Sequence, residues 1–213
     1  VKRFKNDYNA NFLPNTQFIN LNYTEINLGF EPSEDLINRY SGEEEKISFK
    51  IDIYEDFIYA VDDKANVKKF KLMSNQGMIE PTEYKNVPTN LKNVFSVLDI
   101  LINDKIMYVS YLVKTPECQY LKISRAKISI ISLDFKTIYQ PEFCFNDLQA
   151  ASLQFYNHNN NEGLLISTSV VHAKEQMLAQ DLQSIQGKIL FLDLNNNMSN
   201  IFSYGSRLYL LHI

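Results

Sequence analysis

The side chains best suited to chemistry are few and widely spaced along this 213-residue chain. The three histidines are His158, His172 and His212, and no two of them have the sequence spacing of a metal-binding pair. The two cysteines, Cys118 and Cys144, are compatible with one disulfide or with two free thiols. The sequence contains no nucleophile elbow, phosphate-binding loop, Cys–His pairing or calcium-loop motif. Short motifs therefore do not define an active site.

Net charge and the length of the apolar runs indicate which classes of partner this chain is not expected to have. The formal net charge is −4 and the pI is about 5.4, whereas nucleic-acid binding usually leaves a basic stripe, so we predict no nucleic-acid partner. No apolar run is long enough for a membrane-spanning helix. The short charge runs Glu43–Glu45 and Lys68–Lys69 are interpreted as solvated loops. The chain begins at Val1 without a signal peptide, which indicates a removed targeting segment or a fragment.

Most apolar runs are four to eight residues long and end at turn residues, which is typical of strands. Aromatic and β-branched residues are abundant, and they fit the half-buried surface of a pleated sheet. Three groups of predicted strands recur along the chain: 47–53, 57–61 and 67–72; then 97–102, 106–113, 121–133 and 135–139; then 153–156, 163–171, 188–194 and 200–204.

The recurrence of similar strand groups indicates a repeat architecture. Antiparallel units of this length, repeated every 50 to 60 residues or so, are typical of propeller blades, and a two-sheet sandwich is the alternative. We therefore predict an all-β chain with an irregular N-terminal segment over residues 1–45. Residues 46–213 form a partial β-propeller of three to four antiparallel four-stranded blades.

Residues 179–195, which read AQDLQSIQGKILFLDLN, are similar to a segment of the soluble pyrroloquinoline-quinone (PQQ) sugar dehydrogenases, the glucose/sorbosone dehydrogenase family. In that family an Ala-Gln-Asp loop runs into Gly-Lys-Ile and a strand. The Tyr-Val-Ser-Tyr run at 108–111 and the strand leading to Gly205-Ser206-Arg207 also match in order. The resemblance covers residues 46 to 207 and implies the N-terminal half of a propeller of the six-bladed type.

The resemblance fails at the family's catalytic residue. Leu148 lies where the family has the histidine that removes the proton from the sugar C1 hydroxyl, and leucine cannot act as a base. The resemblance implies cofactor contacts for Asp147 and Arg207. Asp147 is alternatively a turn residue and Arg207 a surface arginine. We therefore predict no catalytic residue and no metal ligand in this chain.

Two functions follow from this pattern. The first is a fragment or degenerate homologue of a PQQ sugar dehydrogenase, inactive as this chain. The second is a non-catalytic β-propeller binding or scaffold protein, because a fold does not fix a function. The resemblance implies PQQ and calcium as cofactors, although we expect this chain not to bind them. It also implies a sugar partner and a periplasmic or extracellular location.

Overall fold

A computed structural model describes residues 49–204 except for 76–77, 130, 143, 146–147, 149, 159–160, 170–177, 180, 182–183 and 196–198. Its named elements are all strands: β1 (Phe49–Tyr54), β2 (Phe57–Asp62), β3 (Val67–Asn75), β4 (Met78–Val87), β5 (Val94–Asn103), β6 (Ile106–Lys114), β7 (Gln119–Lys127), β8 (Lys136–Tyr139), β9 (Ala151–His158), β10 (Asn161–Thr168), β11 (Lys188–Asp193) and β12 (Ser199–Tyr204). The predicted boundary at residues 45 and 46 lies outside the described residues.

The strands form three separate four-stranded antiparallel sheets, each a simple meander. Sheet 1 contains β1–β4, sheet 2 contains β5–β8 and sheet 3 contains β9–β12. The first strand of each sheet lies beside the first strand of the next, so β1 contacts β5 and β5 contacts β9. This radial arrangement of meanders is that of propeller blades, and it confirms the predicted partial β-propeller over the sandwich alternative.

Tight hairpins explain why each meander follows the chain so closely. Asn103 pairs with Ile106, and the two residues between them, Asp104 and Lys105, both have positive φ angles of 44° and 64°. Two left-handed residues give a turn whose twist matches that of the strands. In sheet 1 the β2–β3 turn is held by Asp62, whose Oδ1 accepts hydrogen bonds from the backbone N–H groups of Lys64 and Asn66.

Each pair of neighbouring sheets encloses an apolar core. The core between sheets 2 and 3 is built from fully buried aliphatic side chains such as Leu121, Ile123, Leu164 and Ile166. The core between sheets 1 and 2 includes Tyr59, Val61, Val67, Met107 and Val109. Burial of these side chains supplies the main driving force that holds the sheets together.

The same polar contact joins both pairs of sheets at their first strands. Oδ2 of Asp52 on β1 accepts the backbone N–H of Ile102 on β5, with 2.5 Å between the atoms. Oδ2 of Asp99 on β5 accepts the backbone N–H of Leu153 on β9 at 2.7 Å. In both cases Oδ1 accepts the N–H of the next residue along the chain. An aspartate therefore satisfies a backbone donor of the following blade, which fixes the spacing of the first strands.

Sheet 1 has an apolar face that points away from sheet 2. Phe49, Ile51 and Ile53 alternate along β1 and are 42%, 57% and 57% exposed. The residues that pair with Ile51 and Ile53 on β2, Ala60 and Ile58, continue this face. The sequence pattern of alternating isoleucines correctly predicted a strand here.

The structure differs from the sequence prediction at one predicted strand and at one strand that was not predicted. The strand predicted over 121–133 ends at Lys127, and the chain then turns before β8. Strand β4 was not predicted because Pro81 interrupts it, but β4 is an edge strand and Pro81 pairs at a register shift beside Leu72. A proline is tolerated at such a bulge because it need not donate to a neighbouring strand.

Cys118 and Cys144 form a disulfide, which settles the alternative left open by the sequence. The bond joins the β6–β7 turn to the segment after β8, and the two backbones also pair between Gln119 and Phe145. The described residues contain no free cysteine. No helix among them is long and apolar enough to cross a membrane.

Candidate functional site

A cavity of about 460 Å³ opens between the β1–β2 hairpin end of sheet 1 and the adjoining edge of sheet 2. Its volume lies within the range of small-molecule sites. We call it the lysine cavity. Its described lining consists of Tyr54, Glu55, Phe57, Tyr59, Lys69, Lys71, Lys85, Lys105, Ile128 and Ser129.

The alternation of β3 places two lysines on the face of sheet 1 that packs against sheet 2. Val67, Lys69 and Lys71 point to the same side of the strand because side chains alternate with a period of two. Val67 is buried in the core, and the two lysines continue its face toward the hairpin end. Their cross-strand neighbours on β2 are Tyr59 and Phe57. The face therefore changes from apolar to cationic and aromatic along a single strand.

The third lysine of sheet 1 comes from the edge strand. Lys85 on β4 pairs with Lys69 in the antiparallel register, and its side chain is exposed at the cavity. Like charges directly opposite each other on a sheet repel, so this pairing costs stability in the absence of an anion. Such a cost is typical of a position that serves binding rather than folding.

Sheet 2 supplies the opposite wall. Lys105 is the second left-handed residue of the β5–β6 turn, a conformation that glycine or asparagine usually adopts. Its carbonyl accepts the backbone N–H of Ile128 at 2.7 Å, which holds the turn against the segment that carries Ile128 and Ser129. A lysine is thus retained in a strained backbone conformation at the cavity, and strain of this kind is concentrated at functional sites.

The environment of Lys69 is the most unusual in the cavity. Its Nζ lies 3.5 Å from the centre of the Phe57 ring and 5.5 Å from that of Tyr59. Burial lowers the pKa of Lys69 below its ordinary value, and the carboxylate of Glu55 opposes that shift. Burial also raises the pKa of Tyr59, and the nearby charge of Glu55 raises it further. The phenol of Tyr59 is therefore a neutral hydrogen-bonding group. The aromatic rings therefore partly replace the water that Lys69 loses.

The chemistry available in the cavity is recognition of negative charge. Its described lining carries four ammonium groups against the single carboxylate of Glu55. Lysine is a compact point charge with three donors and is a common partner of phosphate and carboxylate groups. The half-buried rings of Tyr54 and Phe57 offer apolar surface beside these charges. The arrangement suits an organic anion with a ring or an apolar body.

Of the residues singled out by the family resemblance, the structure describes Leu148, which does not lie at the lysine cavity. Leu148 is 1% exposed and packs in the core between sheets 2 and 3. Its backbone N–H points to Oε1 of Gln119. Asp147 and Arg207 lie outside the described residues, as do His172 and His212. The described residues therefore do not test the predicted quinone contacts, which stay predictions.

No three His, Cys, Asp or Glu side chains come together as a possible metal site within the part of the chain that the structure describes. His158 is the last residue of β9 and pairs with Asn161.

Lys188 in sheet 3 differs from the lysines of the cavity because it is buried and its ammonium group is hydrogen-bonded within the protein. It is 1% exposed, and its Nζ donates to the carbonyls of Leu178, Ala179 and Gln186 at 2.8, 2.7 and 3.3 Å. Three acceptors match the three ammonium protons, so the charge is fully used inside the protein. Burial lowers the pKa of Lys188 and Asp181 opposes the shift. Lys188 therefore fixes the loop before β11 and is not available to a ligand.

The sequence interpretation missed the lysine cavity. The predicted strand 67–72 contains the Lys68–Lys69 run, which was nevertheless interpreted as solvated; in β3 Lys68 is buried and Lys69 is half-buried. The available signal was the alternation Val67, Lys69, Lys71, which continues an apolar face with cations. Without the register that places Phe57 and Tyr59 opposite these lysines, the alternation alone does not define a cavity.

Comparisons with known proteins show only distant similarity. No protein-family model matches the chain, and no curated protein matches it. An α-L-arabinofuranosidase (CtGH43) from Clostridium thermocellum ATCC 27405 is similar over 72% of this chain and 52% of that structure, with 10% identity and a TM-score of 0.42. The N-terminal domain of Nup159 is similar over 70% of this chain and 40% of that structure, with 11% identity and a TM-score of 0.40.

The chain thus spans about half of the first matched structure and less of the second. With identities and TM-scores this low, the class of protein is defined by the sheet topology and the contacts between first strands. These define a β-propeller chain with three described blades.

Proposed function

We propose that this chain is part of a non-catalytic β-propeller protein that binds a small organic anion in the lysine cavity. The observation that carries the proposal is the convergence of Lys69, Lys71, Lys85 and Lys105 on one cavity whose described lining has a single carboxylate. Lys69 is half-buried in this cavity, and desolvating a charge is costly unless an opposite charge compensates it. A bound anion would supply that opposite charge.

The kind of anion follows from the lining. An ammonium group attracts phosphate, sulfate and carboxylate alike, so charge alone does not select among them. The rings of Tyr54 and Phe57 add apolar contact area, which favours an anionic group attached to a ring over a free inorganic ion. We therefore expect aryl or sugar phosphates and carboxylates to bind more tightly than inorganic phosphate.

The disulfide between Cys118 and Cys144 supports a location in an oxidising compartment, such as the extracellular space or the periplasm. Descent from a PQQ sugar dehydrogenase stays a prediction from the sequence. No observation on the described residues favours quinone chemistry, and the lysine cavity lies away from the core that contains Leu148.

The test is calorimetric titration of the chain with 4-nitrophenyl phosphate. We expect a dissociation constant on the order of 1 mM or tighter. The double variant Lys71→Met/Lys85→Met should weaken binding about a hundredfold or more, because each lost charge-assisted hydrogen bond contributes roughly 1.5–3 kcal/mol. Lys69 is left in place in this variant because it packs on Phe57.

The matched control is Lys64→Met. Lys64 is an exposed lysine in the β2–β3 turn, at the opposite end of sheet 1, and it does not line the cavity. It should bind 4-nitrophenyl phosphate as the parent chain does. Equal binding by the double variant and the parent, or no binding by the parent at millimolar ligand, would overturn the proposal.

A further inference from the structure

The lysine cavity does not end at the edge of sheet 2. A second, more open depression of about 800 Å³ follows the outer part of that sheet, and the two share Lys105 and Ser129 in their linings. We call it the basic groove. Its other lining residues include Arg125 and Lys127 of β7 and Lys136 of β8. A ligand held by Lys105 is therefore at the entrance to both depressions.

Positive charge runs continuously through the two linings. Together they carry seven lysine and arginine side chains against three carboxylates, Glu55, Asp104 and Asp134. One of these carboxylates is hydrogen-bonded within the protein, since Oδ1 of Asp134 accepts a hydrogen bond from Nδ2 of Asn90 at 2.6 Å. The chain as a whole has a net charge of −4, so the excess of positive charge is local to this surface. Local fields of this kind concentrate ligands of opposite charge.

Lys127 and Lys136 supply two of the cations of the basic groove. Both side chains are exposed, and they lie on the last residue of β7 and the first residue of β8. Arg125 is half-buried beside Tyr108, whose pKa is raised by burial while the guanidinium opposes that shift. The groove thus has one anchored cation and two free to move toward a ligand.

We infer that the natural ligand is a linear acidic polysaccharide, with one anionic unit in the lysine cavity and the following units along the basic groove. The inference rests on the proposed function, because it takes the lysine cavity as the primary site. A repeating anion fits cations spread over two connected depressions, whereas a small ligand would use the cavity alone. Successive carboxylate or sulfate groups would face Lys105, then Lys127 and Lys136.

The aromatic residues favour a polysaccharide over a nucleic acid. Proteins that bind single strands stack successive bases on a series of aromatic rings. In the lysine cavity Nζ of Lys69 lies over one face of Phe57 and Tyr59 is 1% exposed, so the cavity offers room for a single ring rather than a series of rings. The described lining of the basic groove contains no aromatic residue. The surface therefore offers charges along its length but no series of stacking platforms.

The test compares ligand length by calorimetric titration. The probes are a trimer and a nonamer of galacturonic acid, a sulfated heparin trimer and nonamer, and an oligothymidylate of similar charge. For at least one of the two sugar series we expect the nonamer to bind about tenfold more tightly than the trimer. The double variant Lys127→Met/Lys136→Met should abolish most of this gain, because it removes two charge-assisted contacts.

The same groove variant should bind 4-nitrophenyl phosphate as the parent chain does, since that ligand reaches only the lysine cavity. Lys64→Met should leave all affinities unchanged. If trimer and nonamer bind equally in both sugar series, or if the groove variant retains the length dependence, the inference is wrong. Tighter binding of oligothymidylate than of either nonamer would overturn it in favour of a nucleic acid.

The two proposals fail in different ways. If 4-nitrophenyl phosphate binds the cavity but no ligand gains from length, only the polysaccharide is excluded. If 4-nitrophenyl phosphate also fails to bind, the lysine cavity itself is not the site.

Discussion

The two interfaces between neighbouring sheets are built by the same rules but differ at one end. Both are joined by an aspartate on the first strand that accepts a backbone N–H of the next sheet. Between sheets 2 and 3 the third strand contributes Leu121 and Ile123 to an apolar core, and the same face of the strand ends in Arg125 and Lys127 at the basic groove rather than in an aromatic-lined cavity. Between sheets 1 and 2 the corresponding strand carries Val67, Lys69 and Lys71, and the interface opens into the lysine cavity.

The difference shows that stability and ligand binding depend on different interfaces in this fold. The apolar core between sheets 2 and 3 buries aliphatic groups and holds the neighbouring sheets in place. The open end between sheets 1 and 2 gives up that burial and presents cations. Lys188, in sheet 3, shows that the chain can also bury a lysine for structure when three carbonyls surround it.

The largest expected effect is on the apolar core between sheets 2 and 3. Leu164→Ala should lower the free energy of unfolding by about 4 kcal/mol, because it removes a fully buried side chain and leaves a cavity. Lys71→Met at the open end should change it by less than about 0.5 kcal/mol, as expected for a partly exposed surface position. Urea denaturation of the two variants beside the parent chain measures both. Similar losses in the two variants would mean that the interfaces do not differ in this way.

The disulfide should stabilise sheet 2 without acting on the ligand. Replacement of Cys118 and Cys144 by serine should lower the free energy of unfolding by about 3 kcal/mol, since the unfolded chain then loses its cross-link. Binding of 4-nitrophenyl phosphate should stay the same, because neither cysteine lines the lysine cavity. Thermal unfolding of the double variant tests the expected loss of stability, and titration calorimetry tests the expected unchanged binding. A loss of binding by a folded variant would contradict the expectation that the disulfide does not act on the ligand.

Removal of the buried lysine should have a smaller effect. Lys188→Met should lower the free energy of unfolding by about 2 kcal/mol, because buried carbonyls lose their donor while the aliphatic part of the side chain is retained. The control is Lys122→Met, a half-buried lysine on β7 that lies in neither cavity. Denaturation curves that coincide for the Lys188 and Lys122 variants would show that the three hydrogen bonds do not matter.

The smallest effect concerns the pH dependence of binding. Lys69 is charged below its pKa, and burial lowers that pKa, so Lys69 should lose its proton at a lower pH than an exposed lysine. Affinity for 4-nitrophenyl phosphate, whose phosphate charge is constant above neutral pH, should therefore fall at a lower pH than the one at which exposed lysines lose their protons. Lys69→Arg should reduce this fall, since arginine stays charged. A pH profile identical in Lys69→Arg and the parent chain would contradict the assignment.

The fold could be predicted from the sequence better than the site. Alternation and turn residues identified most strands, because hairpins such as Asn103–Ile106 are encoded locally. Strand β4 was missed since Pro81 hides it, and only the partner strand β3 makes it recognisable. The predicted contacts Asp147 and Arg207 came from a resemblance and remain untested. The lysine cavity depends on β2, β3, β4 and the β5–β6 turn meeting in space, which no single stretch of sequence reveals.

The central claim is that an anion binds in the lysine cavity, so the decisive measurement is a crystal structure of the chain with 4-nitrophenyl phosphate. We predict that the phosphate oxygens lie within hydrogen-bonding distance of at least two of the ammonium groups of Lys69, Lys71, Lys85 and Lys105, with the nitrophenyl ring against Tyr54 or Phe57. A phosphate bound elsewhere, with the lysine cavity closed by its own side chains, would contradict the account.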